Sequence, residues 1–357
     1  MRPFLIAALL WHMAAAPVQR PADKGTAPCD ITTTARIVAV GDIHGAFDRF
    51  RAILREAKVI DGRDRWVGGT TILVQTGDVL DRGPDSHRVL DLLMRLERDA
   101  ERAGGRVYAL LGNHEVMRMV GHLRDVSAAE YEAFRDGGSR ERLDALYAAV
   151  AAERRAQARA AETPFDEGAF REAFYRETPP GTVELVRAYG ADGKYGRWLR
   201  KREVMVRING DVFVHGGVSA EVAALGCAGL VEAAGREMAS GPAWAPAPLP
   251  YLSGPQGPLW FRGLVDGTLE TPAVEAILDT FGARRIIVGH TVPKTFRISA
   301  LHGGRVIAID TGMLGPPFYS GGVASALVID GGTYTAVYEG RTEPLDVGTS
   351  RQPQGQP

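Results

Sequence analysis

Thr71-Ile72-Leu73-Val74-Gln75-Thr76-Gly77-Asp78-Val79-Leu80-Asp81-Arg82-Gly83 reads as two halves with opposite physical characters. The first is a short apolar, β-branched run of the length of one buried strand; the second breaks at Gly77 and delivers Asp78, Asp81 and Arg82 in quick succession. A strand that ends in glycine and charge places polar groups at the carboxyl edge of a sheet, where open α/β sheets collect ligands. The same arrangement recurs along the chain. Strand-like residues 36–40 precede Gly41-Asp42-Ile43-His44-Gly45, and residues 106–111 precede Gly112-Asn113-His114-Glu115. Residues 204–208 and 211–214 lead into His215-Gly216-Gly217, and residues 285–288 into Gly289-His290.

Longer runs with helical periodicity, 47–58 and 86–103, separate the first three strands, which makes the chain an α/β protein. From about residue 126 to 201 the composition turns to Ala, Arg and Glu. We read this stretch as a helical insertion into one domain, with one or two long helices over 128–161. A helix near 230–238 precedes a Pro- and Gly-rich loop, 240–258, expected to form one wall of a site. The C-terminal part is β-rich, with strands expected at 297–301, 305–309, 326–330 and 333–338. The layout is a catalytic domain over 36–340, flanked by loose segments at 17–35 and 341–357.

Lys plus Arg (42) nearly equals Asp plus Glu (43) among 357 residues. With a net charge of -1 there is no positive field to gather nucleic acid, so no nucleic-acid partner is expected. Arg2, the apolar run 4–13 and Ala14-Ala15-Ala16 have the order of a cleaved signal peptide, 1–16, and the run is too short to span a bilayer. The expected location is periplasmic or secreted, without a stable membrane anchor. Two cysteines, Cys29 and Cys227, follow the leader, and the sequence leaves open whether they pair.

Asp42 and His44 are two apart, so on extended backbone they point to one side and offer a carboxylate oxygen and an imidazole nitrogen to one ion. Asp78 adds a carboxylate able to bridge two ions, Asn113 an amide oxygen, and His215 and His290 two more nitrogens. Singly, Asp42, Asp78 or Asn113 reads as an Asx-turn or cap residue, the commoner fate of Asp and Asn after a strand. Together the six form a mixed N and O set suited to two divalent ions, Mn, Fe or Zn. Gly41, Gly77, Gly112 and Gly289 precede the ligands where backbone must turn or approach closely. There is no G-x-S-x-G elbow and no Walker A loop, and His114-Glu115-Val116-Met117-Arg118 lacks the second histidine of H-E-x-x-H.

The ordered set GDIHG, GDVLDRG, GNHE and HGG resembles the metallophosphoesterase superfamily, in its phosphoprotein phosphatase branch. The leader, the insertion and Pro258-Leu259-Trp260-Phe261-Arg262-Gly263 resemble the Shewanella-like phosphatases. The resemblance implies two mixed β-sheets packed as a sandwich and flanked by helices, the calcineurin-like fold. It implies that Asp42 and His44 hold a first metal, that Asp78 bridges both, and that Asn113, His215 and His290 hold a second. His114 is then the general acid, oriented by Asp81, and Arg82 binds phosphate, with Arg262 a second candidate. Glu115 reads as a supporting charge at a helix start, and Tyr319 and the Asp310-Thr311-Gly312-Met313 loop as pocket, core or turn.

The implied activity is metal-dependent phosphomonoester hydrolysis by in-line attack of a hydroxide bridging the two metals. The expected substrate is a phosphorylated protein or a small phosphomonoester, phosphotyrosine favoured over phosphoserine and phosphothreonine. Two alternatives stand beside it. One is a nucleotide or dinucleoside polyphosphate hydrolase; the other is a non-catalytic module that binds a phosphorylated ligand.

Overall fold

The computed structural model describes residues 29–239 and 251–348. The leader and most of the 17–35 segment, the first part of the 240–258 loop and the last residues of the tail lie outside the described residues.

One sheet is built from β1 (Ile37–Val40), β2 (Ile72–Gln75), β3 (Arg106–Ala109), β9 (Ser325–Asp330), β10 (Thr333–Tyr338) and β11 (Arg341–Pro344), in the order β11-β10-β9-β1-β2-β3. A second comprises β4 (Met205–Ile208), β5 (Asp211–Val214), β6 (Arg285–Val288), β7 (Ser299–Leu301) and β8 (Val306–Ala308), in the order β4-β5-β6-β8-β7. Both are mixed. β1, β2 and β3 run parallel, as do β5, β6 and β8, whereas β9, β10, β11, β4 and β7 pair antiparallel with their neighbours.

The period-2 alternation of strand side chains separates two cores. Ile37 and Ala39 of β1, Ile72 and Val74 of β2, Phe213 of β5, Ile287 of β6 and Ile307 of β8 pack together between the sheets. Val38, Val40, Leu73, Val212, Ile286 and Val288 face the opposite way into a core shared with helices. This is a two-sheet sandwich with helices on its outer faces, as the resemblance implies. α1 (Phe47–Glu56) and α2 (Ser86–Arg102) follow β1 and β2 and turn amphipathic stripes inward: Phe50, Ile53 and Leu54, then Val89, Leu90, Leu93 and Leu96. Each such fully buried side chain contributes about 1.5–3 kcal/mol of transfer free energy.

α3 (Asn113–Met119) follows β3. Five helices come next: α4 (Ala128–Phe134), α5 (Ser139–Ala160), α6 (Glu167–Glu177), α7 (Thr182–Tyr189) and α8 (Lys194–Leu199). Leu143, Leu146, Tyr147, Val150, Phe174 and Val183 give α5, α6 and the start of α7 a small core of their own, while Tyr131, Leu185, Tyr189 and Trp198 pack into the main core. After β5 come α9 (Ala220–Ala223), α10 (Gly226–Ala239) and α11 (Thr271–Phe281). The last was not anticipated in the sequence; Pro272 lies in its first turn and Gly282 ends it in a left-handed conformation.

Two expected loose segments are tied down where they are described. Cys29 is disulfide-bonded to Cys227 of α10, with their Cα atoms 5.7 Å apart. Ile31 forms an isolated parallel bridge with Ile208, which fixes the chain at the edge of β4. The tail expected from 341 onward instead forms β11, because β10 presents an unpaired edge that Arg341–Pro344 covers. Arg285 Nη2 donates to Val347 O at 3.2 Å, which carries the anchoring beyond the strand. Among the described residues no helix is long and apolar enough to cross a membrane.

Candidate active site

Parallel strands end on one edge, so the carboxyl ends of β1, β2, β3, β5, β6 and β8 bring Asp42, Asp78, Asn113, His215, His290 and Asp310 to one place. All six are buried. His215 Nε2 lies 3.3 Å from Asp78 Oδ1, 3.0 Å from Asn113 Oδ1 and 3.1 Å from His290 Nδ1. His44 Nε2 lies 3.7 Å from Asp78 Oδ2 and 3.9 Å from Asp42 Oδ2. All six residues expected to be ligands therefore converge, with Asp78 in the middle.

The loops that hold them are conformationally costly. His44, Asp78, Asp81, Arg82 and His290 all have positive φ, between 48° and 71°. Each costs on the order of 1–3 kcal/mol for a non-glycine residue and persists because its surroundings over-determine it. Gly77, at φ 96°, permits the turn directly before Asp78. Gly289 serves close approach instead: a β-carbon there would strike Asp42 Oδ1 and Thr76 Oγ1.

Ring tautomers are set from behind. His44 Nδ1 faces Leu80 O at 2.8 Å and His215 Nδ1 faces Thr76 O at 3.0 Å, so each donates there and leaves Nε2 toward the site. Burial pushes His44 down to about 3 and His290 down to about 2, keeping both imidazoles neutral as nitrogen ligands must be. Burial also raises Asp42 and Asp310, each further raised by nearby carboxylate charge. For Asp78 burial works in the same direction, but His215, His114 and His44 outweigh it and hold the carboxylate well below its ordinary value.

Three buried carboxylates with this few compensating donors call for positive charge at their centre. Two sets meet the need, His44 with Asp78 and His114, and Asp78 with His215 and His290; in each, the candidate ligand atoms lie within 4.8 Å of one another. The donor chemistry fits divalent metal ions, and Asp78 belongs to both sets.

Beside these groups His114 Nδ1 lies 2.7 Å from Asp81 Oδ2. Burial alone would lower the His114 pKa, but the charges of Asp78 and Asp81 outweigh it and leave it raised. Arg82 reaches the same space, with Nη2 3.2 Å from His114 Nε2 and Nη1 2.7 Å from His44 Nε2. Arg82 Nη1 also donates to the Tyr319 hydroxyl. Arg262 stands beside His290, its Nη1 donating to the His290 carbonyl at 2.6 Å and to Thr291 Oγ1 at 3.2 Å. The described part of the Pro- and Gly-rich loop touches the HGG turn, where Pro258 O accepts Gly216 N at 2.7 Å.

Sequence reasoning undervalued four residues. Glu115 accepts the amides of Gly112, Asp78, Val79 and Leu80 at 2.8–3.2 Å. Asp310 follows β8 as Asp78 follows β2, a signal that could have placed it with the ligands. Arg118 lies four residues after His114 on α3, the spacing that puts two side chains on one helix face. Glu130, on α4, carried no local signal.

Residues 35–294 match the Calcineurin-like phosphoesterase family. The chain is 32% identical over 289 residues to Shewanella-like protein phosphatase 2 of Arabidopsis thaliana, covering 78% of this chain and 71% of that protein. It is 26% identical over 294 residues to Shewanella-like protein phosphatase 1 of Plasmodium berghei, covering 80% of this chain and 68% of the relative. The crystal structure of a cold-active protein-tyrosine phosphatase of a psychrophilic Shewanella species superimposes with a TM-score of 0.68 at 25% identity, over 92% of this chain and 89% of that one.

Proposed function

The chain belongs to the calcineurin-like phosphoesterase family, in the group named Shewanella-like protein phosphatases, and from that premise we propose that it is a dinuclear phosphomonoester hydrolase acting on phosphoproteins, phosphotyrosine before phosphoserine or phosphothreonine. The observation that carries this reading is the pairing of His114 with Asp81 at 2.7 Å within a cluster in which Asp78 joins two sets of metal-compatible side chains, His44 with His114 and His215 with His290.

In this reading Asp42, His44 and Asp78 hold one ion, and Asp78, Asn113, His215 and His290 the other, with Mn, Fe or Zn suited to the mixed donors. Bound divalent ions supply Lewis acidity toward phosphoryl oxygens and lower the pKa of water enough for attack at neutral pH. Arg82, held by Tyr319, orients the phosphoryl group through its planar guanidinium, and Arg262 closes the opposite side. His114 Nε2 gives its proton to the leaving oxygen, while Asp81 keeps the ring aligned through Nδ1. The tyrosine preference draws its support from the Shewanella phosphatase.

Export to the periplasm or beyond is part of the proposal. It is supported by the leader-like residues 1–16 and by the Cys29–Cys227 disulfide, a bond that persists in oxidising compartments.

The test is phosphate release by Mn-loaded protein from phosphotyrosyl, phosphoseryl and phosphothreonyl peptides of matched sequence, with a chelated control. Chelator-sensitive release, fastest from the phosphotyrosyl peptide, is expected. Release from nucleotides alone, or peptide binding without release, would overturn the reading.

A further inference from the structure

Arg118 has no exposed side-chain surface and bridges two buried acids. Its Nη2 donates to Asp81 Oδ1, and both terminal nitrogens donate to Glu130, Nη1 to Oε1 and Nη2 to Oε2, each at 3.3 Å. The Tyr189 ring lies against the guanidinium, its centroid 4.7 Å from Cζ, and the Tyr189 hydroxyl reaches Glu130 Oε1 at 3.5 Å. Ser86 joins the two ends: its Oγ donates to Glu130 Oε2 at 3.1 Å and accepts Asp81 N at 3.2 Å.

This network allots both oxygens of Asp81. Oδ1 takes Arg118 and Oδ2 takes His114 Nδ1, which fixes the carboxylate plane and with it the plane of the imidazole. Glu130 belongs to α4 and Tyr189 to α7, both within the helical insertion. A buried guanidinium facing Asp81 alone would draw that carboxylate toward itself, because it would have no second anion to satisfy it. Glu130 shares the guanidinium and leaves Oδ2 free for His114. Within the network only Arg118 Nε is left without a partner among the described residues, and a buried network whose terminal nitrogens are all engaged holds geometry more tightly than its separate bonds would.

We propose that Glu130, contributed by the helical insertion, is a positioning residue for phosphoryl transfer: through Arg118 it sets the orientation of Asp81 and so aims His114 Nε2 at the leaving oxygen. The inference rests on the reading of His114 as the proton donor. The insertion is thereby part of the catalytic support.

The experiment compares phenyl phosphate, a poor leaving group, with p-nitrophenyl phosphate, a good one, on full-length metal-loaded protein. Glu130→Gln should lower kcat on phenyl phosphate about tenfold more than on p-nitrophenyl phosphate, with KM and metal content near wild type. Glu130→Asp should recover part of the loss, and Glu132→Gln, on the exposed face of α4, should lose nothing. Ser86→Ala, which deletes one hydroxyl of the network, should show a smaller loss of the same selectivity and serves if Glu130→Gln does not fold. Equal losses on both substrates, or a rise in KM alone, would overturn the proposal. His114→Asn separates the two readings: if that variant shows no leaving-group selectivity, the assignment of His114 as donor fails, whereas selectivity in His114→Asn but not in Glu130→Gln condemns the Glu130 proposal alone.

Discussion

The Glu115 carboxylate accepts the backbone amide of Asp78 at 2.8 Å across 37 residues of sequence. The same carboxylate takes the amides of Val79, Leu80 and Gly112, so one buried side chain locks the loop carrying Asp78 to the helix carrying Asn113 and His114. The positive φ of Asp78 is held in place by these bonds.

Glu115→Gln keeps the shape but turns an amide group toward backbone N–H donors. It should cost about 2–4 kcal/mol of stability, since hydrogen bonds to a buried charge are the strong ones. Metal content should fall with it. Thermal denaturation alongside metal analysis checks both, and a variant with wild-type melting and full metal would show that the clamp is dispensable.

His114→Asn should lower kcat by about 10²–10⁴. Metal content should remain near wild type because Asp42, His44, Asp78, Asn113, His215 and His290 are intact. Steady-state kinetics with elemental analysis decides, and unchanged turnover would remove His114 from the reaction.

Asp310 is buried against Asp42, and its Oδ2 has no hydrogen-bond partner among the described residues. Burial and the nearby Asp78 charge raise its pKa from the ordinary 3.8 to about 6. A carboxyl raised on folding adds stability below its ordinary value, and that contribution disappears as pH rises through about 6. In chelated protein Asp310→Asn should therefore raise stability at pH 8 by about 1–3 kcal/mol and flatten its decline between pH 4 and 6. Melting curves with and without chelator test this. No gain in the chelated protein would mean that Asp310 is not a repulsive member of the cluster.

The Cys29–Cys227 bond closes a 198-residue separation and ties the N-terminal segment to α10. The double variant Cys29→Ser, Cys227→Ser should lose about 2–5 kcal/mol. Reductant should lower the melting temperature of the wild type toward that of the variant and leave the variant unmoved. Identical melting of oxidised, reduced and variant protein would show that the bond contributes no stability.

The parallel strands and the two helices after β1 and β2 were legible because their signals are local: short β-branched runs closed by glycine, and apolar stripes at helical spacing. The strand-end residues were legible for the same reason. Glycine followed by Asp, Asn or His marks a sharp exit from a sheet, and the exits of parallel strands share one edge. Where signals were weak, the reading fell short. α11 follows a Pro- and Gly-rich stretch and shows only a short apolar stripe, Val274, Ile277, Leu278 and Phe281, while β11 depends on an open edge of β10 that only pairing reveals.

By itself, the sequence determined the α/β alternation, the strand-end residues and, through four ordered motifs, the family. Those features depend on near neighbours and on backbone geometry that each short segment carries with it. Only the tertiary structure decided that Cys29 meets Cys227, that Asp310 faces Asp42, and that Glu130 shares Arg118 with Asp81. Each of these joins residues far apart in the chain, and their partnership arises from the free energy of burying charge and closing loops, which no local pattern records.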